Sequence, residues 1–377
     1  MDKGFDTTVA AVKCSSYERK LVREKVHRAI ALTGGFPEKI KPGSKILLKP
    51  NLLTAKHPDA AVTTHPEILR AVIKELKELG INDITVGDSP AGRHEWKQLW
   101  EKTGIKQVAE DEEVKLIPFE NIKTILINKN VKVPVLKELD DFDAVISLPK
   151  LKTHLLTKIT GTVKNSYGLV IGQAKSHFHG KYPSPRKMSS FIADLYSQLK
   201  PDFVIMDAVK SMEGDGPNTG KPYKSGVILA GVDGVAVDSC ACSIYDYDYN
   251  DIFTLFKAVE KGYGVGDHEL IKRTGDAWKN MDAAVCRRSK ADFLSKIPEK
   301  LFFILTLVSK CRPSFDKKKC IKCGLCAEAC VQKAIINKKK CYKVKSSKCV
   351  LCMCCIEACP YQALKLKTTK IWNHFSS

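Results

Sequence analysis

Apolar positions along the first 290 or so residues alternate between two patterns. Short, mostly apolar runs at Val9–Val12, Lys45–Leu48, Asp83–Val86, Ala144–Leu148, Phe203–Met206 and Val227–Ala230 predict buried strands. Between them, apolar residues recurring every three or four positions predict helices over Glu18–Leu32, Ile68–Leu79, Glu95–Lys102, Met188–Leu199 and Ile252–Glu260. The punctuation agrees with this division. Gly34-Gly35, Gly80 and Gly104 follow helical stretches as C-caps, and Thr64-x-x-Glu67 around Pro66 reads as a capping box. Strands separated by helices of this length predict an α/β domain, with a largely parallel sheet and helices on both faces.

From Ile297 to Lys319 the pattern becomes mixed and basic, broken by Pro298 and Pro313. The chain therefore divides into an α/β domain at 1–295, a linker at 296–316 and a small domain at 317–370. The longest apolar run, Leu301–Val308, has eight residues. That is far short of the roughly 20 that span a bilayer, so no transmembrane segment is expected. Packing on the large domain is its expected role, with a dimer contact or a membrane-surface contact as alternatives. Met1–Lys13 lacks the apolar core of a signal peptide, which makes the cytoplasm the expected compartment.

Cysteine placement changes the picture most. Eleven of the 15 cysteines lie at or after Cys311. Two runs share the spacing C-x₂-C-x₂-C-x₃-C: Cys320, Cys323, Cys326, Cys330, and then Cys349, Cys352, Cys355, Cys359, with 18 residues between them. Three thiolates at two-residue steps wrap one face of an iron–sulfur cubane, and the fourth starts a short helix leading to the other cluster. The expected sets are therefore Cys320, Cys323, Cys326 and Cys359 on one [4Fe–4S] cluster, and Cys349, Cys352, Cys355 and Cys330 on a second. Zinc ribbons use C-x₂₋₄-C halves and do not share this pattern. The duplication resembles bacterial two-cluster ferredoxins, which implies a small α+β ferredoxin-like two-cluster domain. Val331 stands where that family has proline after the fourth cysteine; Pro360 keeps it in the second run. Cys341 and Cys354 fall outside the ligand pattern.

The net charge of +20 is concentrated in the tail, where residues 300–377 hold 17 Lys+Arg against 3 Asp+Glu. Lysines such as Lys317–Lys319 and Lys338–Lys340 suit an acidic electron carrier of ferredoxin or flavodoxin type, or a redox enzyme, as partner. A merely solubilising basic surface reads equally well. No aromatic interleaving or motif supports a nucleic-acid partner.

In the α/β domain the unusual polar residues follow strands. They include Lys49 and Asn51, Asp88 in Gly87-Asp88-Ser89-Pro90-Ala91-Gly92, Lys150, Lys152 and His154, and Asp207, Glu213 and Asp215. Ligands of open parallel sheets bind at the carboxyl ends of strands, so these loops should converge on one pocket. Lys49, Lys150, Lys152, Lys164 and Asn165 suit a small anionic ligand, a carboxylate or phosphate. His154 is the candidate proton donor, with Asp207 and Asp215 as bases. Asp88, Asp207, Glu213, Asp215 and Asp238 are candidate ligands of a divalent cation. Each also has a plain structural reading, as turn residue or solvated charge. His177 and His179 alternate as ligands on one strand face would, whereas Cys240 and Cys242 read as buried small hydrophobes. No dinucleotide fingerprint or phosphate loop is present.

The motifs KPNLL, TTHPEIL, GDSPAG, LPKLKTH, TGTVKNSYG, DAVKSMEGDGP and GVDGVAVD occur in that order. Over roughly residues 7–290 they resemble the domain-of-unknown-function family numbered 362, whose members often carry a C-terminal pair of ferredoxin motifs. The resemblance implies a site at these motif positions and names no reaction. The expected function is an iron–sulfur redox enzyme that passes electrons through two [4Fe–4S] clusters to or from a small anionic substrate or cofactor. The rival is an electron-transfer or assembly subunit whose α/β domain docks a protein partner.

Overall fold

The structure is a computed structural model describing residues 6–90, 95–290, 292, 297–298, 312–338 and 341–367. The apolar run Leu301–Val308, and Ala91 and Gly92 of the GDSPAG motif, lie outside the described residues.

The central sheet is built from β1 (Val9–Lys13), β2 (Ile46–Pro50), β3 (Ile84–Asp88), β4 (Lys115–Pro118), β7 (Ala144–Leu148), β10 (Phe203–Glu213), β12 (Val227–Gly231) and β13 (Arg273–Gly275). The path runs β13-β1-β12-β10-β7-β2-β3-β4. From β10 to β4 every neighbour is parallel; β12 is antiparallel to both β10 and β1. A separate antiparallel hairpin, β5 (Ile122–Ile127) with β6 (Val131–Leu136), gave no signal in the apolar pattern. β5 alternates exposed and half-buried positions up to the buried Ile127, and β6 buries Val133, Val135 and Leu136 between less buried residues, so neither is buried throughout as the central strands are.

Both faces of the sheet are covered. Ile46 and Leu48 point into one core with α1 (Arg19–Leu32) and α2 (Pro66–Glu78). Leu47 points into the other, with the helices at Pro185–Gln198, Gly234–Cys242 and Phe253–Glu260. Strict alternation along a strand buried on both faces explains why the central strands read as continuous apolar runs.

Local differences have local causes. The cap of α2 is His65, whose side chain accepts from the Glu67 N–H, rather than Thr64. Thr64 instead donates its hydroxyl to Leu148 O and receives the Asn51 N–H, tying the end of β2 to β7. His177 and His179 sit on the helix Ala174–Lys181, not on a strand, so they do not share a face as alternate residues would. β10 runs on past Met206 to Glu213, which places Asp207 inside a strand. After Pro149, which has no N–H to give the ladder, the segment Lys150–His154 forms β8 and pairs with this extension. Between Asp207↔Lys150 and Met212↔Lys152 the register shifts through a bulge. β9 (Lys158–Thr160) and β11 (Lys221–Tyr223) complete the sheet.

In the small domain β14 (Arg312–Phe315) pairs with β17 (Leu364–Lys367), and β15 (Ile335–Asn337) with β16 (Tyr342–Val344). β14 lies inside the expected linker, so the pairing draws its residues into the module. The module's core takes in Leu155 of the α/β domain. Asn218, 1% exposed, fastens the two together: its Nδ2 donates to Glu357 O at 3.2 Å and Cys359 O at 3.1 Å, and its own carbonyl receives Gln362 Nε2 at 3.1 Å.

Candidate functional site

The ends of β2, β3 and β8 carry a buried lattice of cations. Lys49 Nζ lies 2.9 Å from Asp88 Oδ1, both side chains 2% exposed. The same Nζ donates to Asn165 Oδ1 at 3.0 Å, which also receives Asn51 Nδ2 at 3.1 Å. Asn165 Nδ2 donates to Ser147 Oγ and Lys49 O, so this amide is fully engaged in positioning its neighbours. The motif TGTVKNSYG ends in Gly168 for a steric reason. A Cβ there would stand 2.4 Å from both Lys49 Nζ and Asp88 Oδ1. Lys152 Nζ donates to Asn51 Oδ1 and Val62 O, each at 2.6 Å. Burial, reinforced by Lys164 and Lys150, holds the Lys152 pKa well below the usual lysine value.

A second cluster stands beside it. Lys150 Nζ lies 2.9 Å from Asp207 Oδ2, both side chains wholly buried. Tyr17 Oη donates to Asp207 Oδ1 at 2.7 Å and accepts from Lys150 Nζ at 2.8 Å. The Tyr17 ring stacks on His65 at 3.6 Å. Burial drops the His65 pKa to about 4, outweighing the attraction of Asp207. Because Nδ1 accepts the cap N–H, protonation there would break the helix cap. Between pH 6.5 and about 4 the unfolded chain takes up a proton that folded His65 refuses. Stability should therefore fall over that window by about 2–3 kcal/mol from this residue, and be unaffected by it above pH 6.5. Urea melts under argon should show a shallower acid slope for His65→Asn, which keeps a cap and does not titrate; an unchanged slope would refute the assignment.

The crevice beyond these clusters narrows to a cavity of about 70 Å³. Asn51, Asp88, Ser89, Thr160, Lys164, Asn165, Lys175 and His179 line it from the α/β domain, and Cys354, Glu357 and Ala358 from the cysteine module. Lys175 donates to Ser89 O and Gly168 O, and burial drops its pKa to about 7. Burial lowers Lys164 as well, opposed by Glu357. His154 is fully buried, its Nδ1 accepting from the N–H groups of Leu156 and Thr157, which leaves the proton on Nε2. That nitrogen lies 3.2 Å from Glu357 Oε1, yet the N–H points off the line and neither atom completes a hydrogen bond. The charges nevertheless feel each other: His154, Lys164 and His179 hold the Glu357 pKa far below the carboxylate range, against its burial.

Of the residues expected in one pocket, Asn51, Asp88, Lys164 and Asn165 line this cavity; Lys49, Lys152 and His154 stand behind it against Asn165, Asn51 and Glu357, and Lys150 belongs to the second cluster with Asp207. The expected trio of His154, Asp207 and Asp215 is not brought together. Asp207 is engaged by Lys150 and Tyr17. Asp215 Oδ1 receives Ser289 Oγ and Lys290 N, and Glu213 Oε2 receives Arg287 N, so both serve a loop that does not line the cavity. Among the described residues the carboxylates expected to hold a divalent cation are not brought together. Asp88 pairs with Lys49, and Asp238 accepts the N–H groups of Thr162 and Val163. Among the described residues no three His, Cys, Asp or Glu converge as a single-ion site. Sequence reasoning missed Thr160, Lys175, Asn218 and Glu357. Glu357 carried one signal, as one of three acidic residues after position 299.

The cysteines fall into two groups of four. Cys320, Cys323, Cys326 and Cys359 line one cavity; Cys330, Cys349, Cys352 and Cys355 line another. The two halves repeat at an offset of 29 residues. Lys322 and Leu351, Gly324 and Met353, and Lys333 and Gln362 all have positive φ. Ala334 N–H donates to Cys330 Sγ at 3.2 Å, as Ala363 N–H does to Cys359 Sγ at 3.3 Å. Val331 does not disturb this turn: Lys333 N–H reaches Cys330 O at 2.8 Å, as Gln362 N–H reaches Cys359 O. In each group one sulfur of the four receives a backbone N–H, and the four thiols around one space suit a cubane as the spacing predicts. Cys354 and Cys341 belong to neither group.

A family model described as domain of unknown function (DUF362) matches residues 46–243, and one described as 4Fe-4S binding domain matches 342–365. A thylakoid-associated protein of Synechocystis sp. is 30% identical over 252 residues, covering 66% of this chain and 77% of its own. Two solved structures align with part of the chain. A Thermotoga maritima protein has a TM-score of 0.37 at 15% identity, covering 56% of this chain and 55% of its own. The lactate racemase apoprotein of Thermoanaerobacterium thermosaccharolyticum has a TM-score of 0.40 at 11% identity, covering 64% and 58%. The matches thus span little more than half of each solved chain. Among the described residues no helix is long and apolar enough to cross a membrane.

Proposed function

We propose, for a chain that belongs to the DUF362 family and ends in a 4Fe-4S binding domain, that it is a redox enzyme holding two [4Fe–4S] clusters against a small-anion site. Cys320, Cys323, Cys326 and Cys359 would hold one cluster, and Cys349, Cys352, Cys355 and Cys330 the other. Each cluster supplies one-electron transfer when bound. The carrying observation is that the short helix Cys354–Glu357, which contains cluster ligand Cys355, forms a wall of the cation-lined cavity. An electron on the second cluster would then stand next to whatever the lysines hold.

The chain's own residues have separable tasks in this reading. Lys164 and Lys175 attract the anion. Asn51, Asn165 and Lys49 hold the loops in register, and the Nε2–H of His154 sits beside the cavity wall as the proton donor. The first cluster would face the carrier: Cys323 is exposed, and Ile321 beside it is 60% exposed, among Lys317–Lys319 and Lys322. That apolar contact ringed by cations suits an acidic carrier protein. Buried free thiols at Cys14, Cys240 and Cys242 support a reducing compartment, the cytoplasm. The domain division would stand at 1–295 and 317–370, with β14 added to the second unit.

Anaerobic reductive titration with a low-potential donor tests the electron count. Uptake of about two electrons per chain is expected, one per cluster. Uptake of one or none would overturn the two-cluster relay. A stable co-purifying protein covering the crevice would favour the subunit reading instead.

A further inference from the structure

Resting on that reading of the crevice, we infer that the small cavity between the two domains binds a small oxyanion carrying at least one O–H. The class is hydrogenphosphate or a two-carbon hydroxy acid.

Size gives the first limit. At about 70 Å³, and with a water taking about 10–15 Å³ on this measure, the cavity holds about five water-sized groups. Hydrogenphosphate and glycolate each have about that many non-hydrogen atoms; a nucleotide is several times too large.

Charge gives the second. Asp88 on the wall is already matched by Lys49 at 2.9 Å. Lys164 and Lys175 both remain, against the single carboxylate of Glu357. Lys175 is held by two carbonyls, which bring no countercharge; with burial dropping its pKa to about 7, it is cationic in about half of the molecules at neutral pH and becomes more fully so beside a bound anion. Water filling the space would satisfy polar atoms and leave that surplus of positive charge in place, whereas an anion removes it.

Unfilled hydrogen-bonding capacity gives the third. Thr160 Oγ1, His179 Nδ1 and Glu357 Oε1 are buried without a hydrogen-bond partner, in residues 3%, 4% and 7% exposed. All three residues line the cavity. A carboxylate oxygen can only accept, so Glu357 asks its guest for a hydrogen. A plain carboxylate such as acetate has none to give at neutral pH; a hydroxy acid or hydrogenphosphate does. Three orphaned polar atoms around one small space would cost several kcal/mol if nothing filled it.

The route in is also visible. A wider cleft of about 980 Å³ between the domains shares Ser176, Ala329 and Ala358 with the inner cavity. The cleft thus adjoins the cavity at these residues.

Calorimetric titration of the anaerobically purified, iron-replete full chain tests this with hydrogenphosphate, glycolate, acetate, citrate and ATP. Saturable binding of hydrogenphosphate or glycolate is expected, and competition between the two identifies which source the site prefers. Acetate should bind at least about tenfold more weakly than glycolate, since a site built to pair a hydroxyl rejects the analogue lacking it. Lys164→Met should weaken binding about tenfold to a hundredfold, the worth of a charge-assisted hydrogen bond. Thr160→Val, nearly isosteric, should weaken it less. Unchanged iron content in both variants would report that they fold. Equal binding of citrate or ATP would overturn the size limit while leaving an anionic crevice standing. Equal binding of acetate would overturn the hydroxyl requirement alone. Failure of every anion to bind an iron-replete chain would overturn this inference and the crevice reading together.

Discussion

Cys359→Ala is expected to lower the iron content from about eight to about four per chain, and the cluster lost should be the one bound by the first cysteine run. Cys359 closes the second run in sequence but lines the cavity of Cys320, Cys323 and Cys326. A combination distinguishes crossed from uncrossed ligation. In the crossed arrangement Cys326→Ala together with Cys359→Ala damages one cluster, so the double variant should keep about four irons. If each run held its own cluster, the double variant would lose nearly all of them. The substitution leaves the module's anchor alone, because Asn218 bonds the backbone carbonyl of Cys359 and not its sulfur. Anaerobic iron and sulfide assays, with spectra of the reduced protein, would decide the matter.

Lys150→Met is expected to cost about 3–5 kcal/mol, the usual loss when one member of a buried ion pair is removed. Asp207 would keep the Tyr17 hydroxyl and the His65 N–H, yet its charge would stand uncompensated in a site with no solvent exposure. The pair itself is not the reason for the large figure. Desolvating both charges offsets most of their attraction, so replacing both should cost much less than replacing one. Lys150→Met with Asp207→Leu should therefore be more stable than Lys150→Met alone. Urea melts of the four-member cycle measure this, and additive losses would show that Lys150 and Asp207 are energetically independent.

These two residues illustrate where sequence reading stopped. Lys150 and Asp207 both stand out in the sequence as polar residues following apolar runs, the one suited to an anion and the other to a base or a cation ligand. Their pairing depends on strands β8 and β10 being neighbours across 57 residues of chain, with a bulge that no local pattern announces. The candidate site was legible to the same degree. Asn51, Asp88, Lys164 and Asn165 line the cavity as their positions at strand ends suggested. Glu213 and Asp215 occur in the same kind of loop and are diverted to Arg287 and Lys290, far along the chain. The spacing of His177 and His179 suits one face of a strand, but the segment is helical, and His179 reaches the cavity from that helix.

What the sequence by itself determined was governed by short range. Cysteine spacing sets which thiolates a tight loop can bring to one face of a cluster, and apolar period sets strand or helix and which faces are buried. Even the 29-residue repeat of backbone conformation follows from two similar local runs. Only the tertiary structure decided which charges neutralise one another and which are left over. Glu357 meets His154 and Lys164 because one domain closes over the strand ends of the other, held there by Asn218. Electrostatic pairing acts through space at a few ångströms, so its outcome is set by packing between distant segments and leaves no trace in their separate patterns.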